Sequence, residues 1–166
     1  ALFYALNKEA LGERAESPIS PQSWAYNPQL KPYAYDSDKA KQIIDKLPDE
    51  QKNILEIKLV STPPLLSVAE KIAKDWEAVG VKTQILVSSV IPADFQAYLT
   101  IFDIPSDPDQ YPIWHSTQKE TNISKYASPR IDKLLEDGRT EIDLEERRKI
   151  YLDFQRYLLE DLPAAF

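Results

Sequence analysis

Two short segments in the middle of the chain alternate apolar and polar residues, which is the pattern of a half-buried β-strand. They span residues 54–60 and 81–87. Between them, apolar residues recur at the spacing of one helix face: Leu65, Ala69, Ile72, Ala73 and Trp76. The pattern therefore predicts a strand, a helix over residues 63–79 that is closed by Gly80, and a second strand.

Helical spacing also marks three segments outside this unit. One predicted helix begins near residue 37, and another spans residues 128–138 and ends at Gly138. The last helix begins with Asp143 and Glu146, whose spacing is that of a capping box. All three have an apolar stripe, so we expect each to pack on a core.

The remaining elements complete an α/β fold class. A third strand is predicted over residues 98–102, after a helical turn near residues 93–96. Helices outnumber strands, which favours a small mixed sheet flanked by helices. The length is that of one domain, so we expect residues 1–166 to form a single domain.

A segment rich in proline and aromatic residues, over residues 13–36, shows neither the alternation of a strand nor the spacing of a helix. Its aromatic side chains favour a loop that packs on the domain over a flexible linker. We expect Trp24 and Tyr26 to be packed, and the loop to be ordered.

Composition excludes several classes of function. No apolar run is long enough for a transmembrane helix. The net charge of -7 and the lack of a basic stripe disfavour nucleic acid as a partner. The chain has no cysteine, which excludes disulfides and thiolate zinc sites, and its three glycines form no phosphate-binding loop. We expect no cofactor.

Residues suited to catalysis or metal binding are sparse. The only histidine is His115, beside Ser116, and sequence neighbours rarely have the geometry of a catalytic pair. A turn-capping histidine is the better interpretation. Asp103, Asp107 and Asp109 do not have the spacing of a calcium loop. We therefore assign no catalytic and no metal residue, and predict that the chain is not an enzyme.

The order of several short motifs carries more information than any one of them. The succession resembles the family of extracellular solute-binding proteins that serve peptide and nickel importers. The motifs that carry the resemblance are residues 17–21, 23–28, 33–36, 107–109 and 130–135. Family members have two lobes that enclose a ligand, and this chain resembles the C-terminal lobe, of periplasmic-binding-protein-like fold.

The resemblance implies a substrate-binding component of an ABC importer. Such a protein captures oligopeptides or a similar small solute outside the cytoplasmic membrane, in the periplasm or anchored to the cell surface. It delivers the solute to a permease and catalyses no reaction. A ligand-presenting sensory or interaction module that reuses the same lobe is the alternative, and a hydrolase that depends on His115 is a third hypothesis.

The resemblance also gives a candidate ligand-binding segment, residues 103–114. Four of its side chains are the candidate contacts: Asp103, Asp107, Tyr111 and Trp114. Peptide-binding members often carry an aspartate that pairs with the peptide amine, and the matching position holds Ile104. Asp103 is one residue earlier and points to the opposite side of an extended segment. We therefore expect an altered anchor and weak peptide binding by this chain alone.

Overall fold

The computed structural model describes residues 1–12, 15–31 and 33–166. Residues 13, 14 and 32 of the predicted loop therefore lie outside the described part. The chain divides into two compact units, which we describe separately: unit 1, Ala1–Arg14 with Tyr33–Phe102, and unit 2, Ala15–Pro32 with Asp103–Phe166. The single domain expected over the whole length stays a prediction.

Unit 1 contains the sheet. Its elements in chain order are α1 (Leu2–Ala5), a 3₁₀ turn (Lys8–Ala10), α2 (Ser37–Asp45), α3 (Asp49–Asn53), β1 (Glu56–Ser61), a 3₁₀ turn (Pro63–Leu65), α4 (Leu66–Ala78), β2 (Lys82–Val87) and β3 (Ala97–Leu99). The strands are ordered β2-β1-β3, so β1 is central. The predicted strand-helix-strand unit is confirmed.

The sheet is parallel throughout, so the expected mixed sheet is wrong. The helical crossover α4 returns the chain to run β2 alongside β1. β3 pairs only with the end of β1, since Ala97 is level with Leu59. β2 ends at Val87, level with Ser61 of β1, and β3 begins level with Leu59. The chain therefore has to move back along β1 by only two residues, and the link over residues 88–96 covers this distance without a hairpin. The helical turn predicted near residues 93–96 does not form.

The core of unit 1 lies between the sheet and α4. Ala69, Ile72 and Trp76 of the predicted stripe are buried against Leu59 of the central strand. The Trp76 indole nitrogen also donates a hydrogen bond of 3.3 Å to the carbonyl of Leu2. Gly80 has a φ of +91°, the left-handed conformation that favours glycine after a helix. The predicted glycine stop is confirmed.

Unit 2 is built from helices and long ordered segments. Its helices are α5 (Tyr111–Trp114), α6 (Pro129–Thr140) and α7 (Leu144–Asp161). The apolar faces of these helices and two residues of the N-terminal segment, Ile19 and Ala25, form one buried cluster. Its helical members are Trp114, Ile131, Leu135, Tyr151, Phe154 and Leu158. No helix among the described residues of the chain has the length and apolarity to cross a membrane.

Gly138 lies inside α6 and does not end it, which corrects the predicted boundary. The reason for glycine at this position is packing. A Cβ atom at Gly138 would lie 2.8 Å from Cζ of the buried Tyr151 ring. The small residue lets α7 bring that ring against the backbone of α6.

The predicted capping box of α7 is half formed. Oδ1 of Asp143 accepts hydrogen bonds of 3.0 Å from the amides of Glu145 and Glu146. The Glu146 carboxylate does not return to the amide of Asp143 and pairs with Lys149 at 2.6 Å. The amide of Asp143 donates instead to Glu141.

Candidate ligand-binding site

A buried amide holds the N-terminal segment of unit 2 to α7. Oε1 of Gln155 accepts hydrogen bonds from the Ser17 hydroxyl at 3.0 Å and from the amide of Asn27 at 3.1 Å. Its Nε2 donates to the carbonyls of Ala25 and Tyr151, both at 2.8 Å. The Gln155 side chain is therefore fully satisfied. Gln155 is not among the residues predicted from the sequence, although a polar residue one turn after Tyr151 on the apolar face of the helix was a usable signal.

The expected packing of the aromatic residues in this segment holds in part. Tyr26 is half-buried against the core of unit 2. Trp24 keeps 36% of its surface exposed, and its ring lies edge-on to Tyr151 with centroids 6.3 Å apart. Trp24 therefore lines the surface beside α7.

The candidate segment begins with an exposed carboxylate. Asp103 is exposed, and among the described residues no hydrogen bond or ion pair engages its side chain. Ile104, the next residue, is half-buried. Asp103 is therefore free to meet a charged group from outside.

The second candidate, Asp107, is engaged within the protein. Its carboxylate binds the guanidinium of Arg147 through both oxygens, at 2.8 and 3.2 Å. Oδ1 also accepts the amide of Asp109 at 2.9 Å. Burial raises the pKa of Asp107, but the hydrogen bonds from Arg147 and from the Asp109 amide outweigh it, and the pKa is lowered overall.

Asp109 continues the same turn. Its Oδ1 accepts the amide of Tyr111 at 3.0 Å, and its Oδ2 lies 3.1 Å from Nε of Arg139. Pro108, between the two aspartates, is fully buried. The segment therefore enters α5, the one-turn helix within the predicted loop, in a fixed conformation.

The Tyr111 ring packs against protein groups. The imidazole of His115 stacks on it with centroids 4.0 Å apart, and the guanidinium of Arg139 lies 4.5 Å from its centroid. Its hydroxyl is 3.4 Å from Oγ1 of Thr117. The ring is half-buried, so only part of Tyr111 can contact a ligand.

Trp114 lies in the core of unit 2 with 5% of its surface exposed. Its indole nitrogen donates to Oε1 of Gln110 at 2.8 Å, and Nε2 of the buried Gln110 donates to the carbonyl of Pro18. Trp114 therefore anchors the candidate segment to the core of unit 2. The structure brings Asp107, Tyr111 and Trp114 together around α5.

His115 is buried and caps a turn. Its Nδ1 accepts the amide of Thr117 at 3.2 Å, which leaves the ring proton on Nε2, 3.3 Å from Oε1 of Glu136. The Ser116 hydroxyl donates to Asp132 at 2.5 Å. Asp132 also lies 4.0 Å from Nε2 of His115, but no hydrogen bond joins the side chains of His115 and Ser116 to each other. No group of three metal-ligating side chains is found within residues 1–12, 15–31 and 33–166.

A small parallel sheet in one unit and a helical unit with a fixed acidic turn define an α/β fold like that of periplasmic binding proteins. A family model described as "Bacterial extracellular solute-binding proteins, family 5 Middle" matches residues 1–122. The chain belongs to this family.

Two relatives illustrate the similarity. The oligopeptide-binding protein AppA of Bacillus subtilis is 30% identical over 202 residues, which cover 100% of this chain and 37% of the relative. Heme-binding protein A of Haemophilus influenzae is 28% identical over 181 residues, which cover 93% of this chain and 33% of the relative. The chain thus spans about a third of the length of these curated relatives.

Solved structures agree with the fold. NikZ from Campylobacter jejuni in complex with Ni(L-His) has a TM-score of 0.87 at 25% identity, covering 98% of this chain and 39% of NikZ. AppA from Bacillus subtilis in complex with a nonapeptide has a TM-score of 0.83 at 23% identity, covering 98% of this chain and 39% of AppA. The predicted α/β class with a periplasmic-binding-protein-like fold is confirmed, with a parallel sheet in place of the expected mixed one.

Proposed function

We propose that this chain is part of the substrate-binding component of an ABC importer, corresponding to the later lobe of such a protein. It captures an oligopeptide or a similar small solute outside the cytoplasmic membrane. Membership of the family supports this proposal. Relatives named for binding oligopeptides and heme, which align with all or nearly all of the chain, support it further.

The same reasoning gives the location and the partner. A solute-binding protein acts where the solute arrives, so we place this chain in the periplasm or anchored at the cell surface. Its macromolecular partner is the ABC permease. We infer no catalysis, because His115 and Ser116 are each bonded to other groups and do not pair with one another.

The segment over residues 103–114 is our proposed ligand-binding site. The observation that carries it is the exposed carboxylate of Asp103, which precedes a turn whose other carboxylates are tied to arginines. Asp103 makes the direct contact and favours an amine or another cationic group. Asp107 and Tyr111 shape the turn and offer their exposed parts, and Trp114 supports it.

Titration of the chain with di- to pentapeptides tests the proposal. We expect saturable changes in amide chemical shifts over residues 103–114, with a dissociation constant in the roughly millimolar range, because one part of a binding cleft covers only part of its ligand. Asp103→Asn weakens the binding of peptides with a free amine. Glu120→Gln removes an exposed carboxylate elsewhere in unit 2 and leaves binding unchanged.

Three outcomes contradict the proposal in different ways. Shifts confined to other residues refute the site. Low-micromolar binding refutes the view that this chain holds only part of a cleft. A lack of any saturable shift with peptides, heme or Ni(L-His) refutes the proposed function.

A further inference from the structure

Two arginines from the helices of unit 2 reach the aspartates of the candidate segment. Arg147, in the first turn of α7, forms the two-point contact with Asp107. Arg139, near the end of α6, pairs with Asp109. Both aspartates also accept a backbone amide two residues further along the chain. Each carboxylate therefore connects an arginine on a helix to the backbone of the turn.

Arg147 is fixed by contacts that do not involve the turn. Its Nε donates to the carbonyl of Gly138 at 2.8 Å, and its guanidinium carbon lies 5.4 Å from the ring centroids of both Trp24 and Tyr151. The side chain is 20% exposed. Its pKa is raised, first by the hydrogen bond to Asp107. The guanidinium plane is thus held in place, ready for a carboxylate that presents both oxygens.

One partner of each ion pair is well exposed, which limits the contribution of the pair to stability. The Asp107 side chain is 57% exposed and that of Arg139 is 45% exposed, while their partners Arg147 and Asp109 are 20% and 24% exposed. Water and salt screen such pairs, so we expect only a modest contribution to the free energy of unfolding. Their geometry nevertheless restricts the conformations of the turn. The consequence of losing them should therefore appear in local order and in binding.

We propose that Arg147 and Arg139 are positioning residues that preorganise the turn over residues 107–111 for ligand binding. Without these arginines the carboxylates of Asp107 and Asp109 rotate more freely, and the hydrogen bonds that they accept from the backbone amides of the turn open more often. Ligand binding then includes the free-energy cost of ordering the segment. This inference rests on the proposed function, although its structural part can be tested without any ligand.

Amide hydrogen exchange of the turn measures the structural part. Arg147→Met removes the guanidinium, and Asp107→Asn removes the charge but keeps an oxygen for the amide of Asp109. We expect the amides of Asp109 and Tyr111 to exchange roughly three- to tenfold faster in both variants. Asp107→Asn changes an exposed side chain, so it tests the proposal even if Arg147→Met fails to fold.

Arg156 provides a matched control. It also lies on α7, pairs with an aspartate at 2.9 Å, and packs on a ring at 4.1 Å. It is nine residues further along the helix than Arg147, a rise of about 13 Å, and its ion pairs are with residues of α7 itself. Arg156→Met should leave the exchange of Asp109 and Tyr111 unchanged. Salt of about 1 M should bring the wild-type exchange towards that of the variants, since screening acts on the ion pairs.

Binding of trialanine, measured by the amide shifts of residues 103–114, tests the functional part. We expect three- to tenfold weaker binding in Arg147→Met and Asp107→Asn, with the unfolding midpoint of Asp107→Asn close to wild type. Unchanged exchange overturns the positioning role, as does faster exchange with unchanged trialanine affinity. A third result separates the two proposals: the wild-type chain binds neither trialanine nor other peptides, but exchange responds as expected. In that case the proposed function is wrong, whereas the ordering of the turn by the arginines is supported.

Discussion

Gly138 offers the sharpest test of how the helices of unit 2 pack. Alanine is normally favoured over glycine inside a helix by about 1 kcal/mol, so Gly138→Ala would stabilise an open position. Here the new Cβ would lie 2.8 Å from Cζ, 2.9 Å from the hydroxyl oxygen and 3.2 Å from Cε1 of Tyr151. Ordinary contacts between such atoms are about 3.5–4.0 Å, so the ring has to move by roughly 0.7 Å or more.

The Tyr151 ring has little room to move. It is fully buried, and it packs edge-on against Trp24 and Phe154 with centroids 6.3 Å away in both cases. Overpacking of this kind costs about 1–3 kcal/mol. After the gain in helix propensity of about 1 kcal/mol is subtracted, we expect Gly138→Ala to lower the free energy of unfolding by up to about 2 kcal/mol.

Urea unfolding followed by tryptophan fluorescence measures this change, since Trp24 and Trp114 both lie in unit 2. Tyr151→Leu supplies the control, because it removes the ring that the new methyl group meets. In that background Gly138→Ala should become neutral or stabilising by up to about 1 kcal/mol. A Gly138→Ala variant about 1 kcal/mol more stable than wild type in the native background would refute the packing argument.

Three further predictions concern other parts of the chain. Leu59→Ala should lower the free energy of unfolding by about 2–5 kcal/mol in urea titrations, since Leu59 is buried in the central strand. The control Ile54→Ala changes an 80% exposed residue and should alter the free energy of unfolding by less than about 0.5 kcal/mol. Gln155→Leu leaves buried backbone partners unsatisfied, so we expect a loss of about 1–3 kcal/mol and faster proteolysis over residues 17–27; unchanged proteolysis would contradict this. Burial, followed by the hydrogen bond to Asp161, raises the pKa of Tyr126 from 10.0 to about 12. Because the folded-state pKa is the higher one, this group's contribution to stability is complete below pH 10 and is lost as the pH rises towards 12. Tyr126→Phe should remove one late-ionising tyrosine from an absorbance titration and make the alkaline loss of stability shallower; an unchanged titration curve would count against the assigned cause.

Local sequence patterns were enough to predict β1, α4 and β2, and the order of short motifs was enough to predict the family. Alternation with a period of two located β1 and β2, and the apolar stripe between them located α4, because both patterns reflect which side of an element is buried. Asp143 and Gly80 marked a helix start and a helix end, because capping depends on a few neighbouring backbone groups. The order of short motifs pointed to the solute-binding family, which the family match confirms.

The pairing of polar groups could not be predicted from the sequence, because it depends on how distant parts of the chain fold together. Arg147 and Asp107 are 40 residues apart, and Ser17 and Gln155 are 138 residues apart. No local pattern encodes such a partner, because a charged or amide side chain looks the same in sequence whether it faces water or a distant carboxylate. The same holds for Gly138, where a helix-breaking residue signalled an end but served a close approach to Tyr151. The parallel direction of β3 could not be predicted from the sequence either, since it depends on where along β1 this strand pairs.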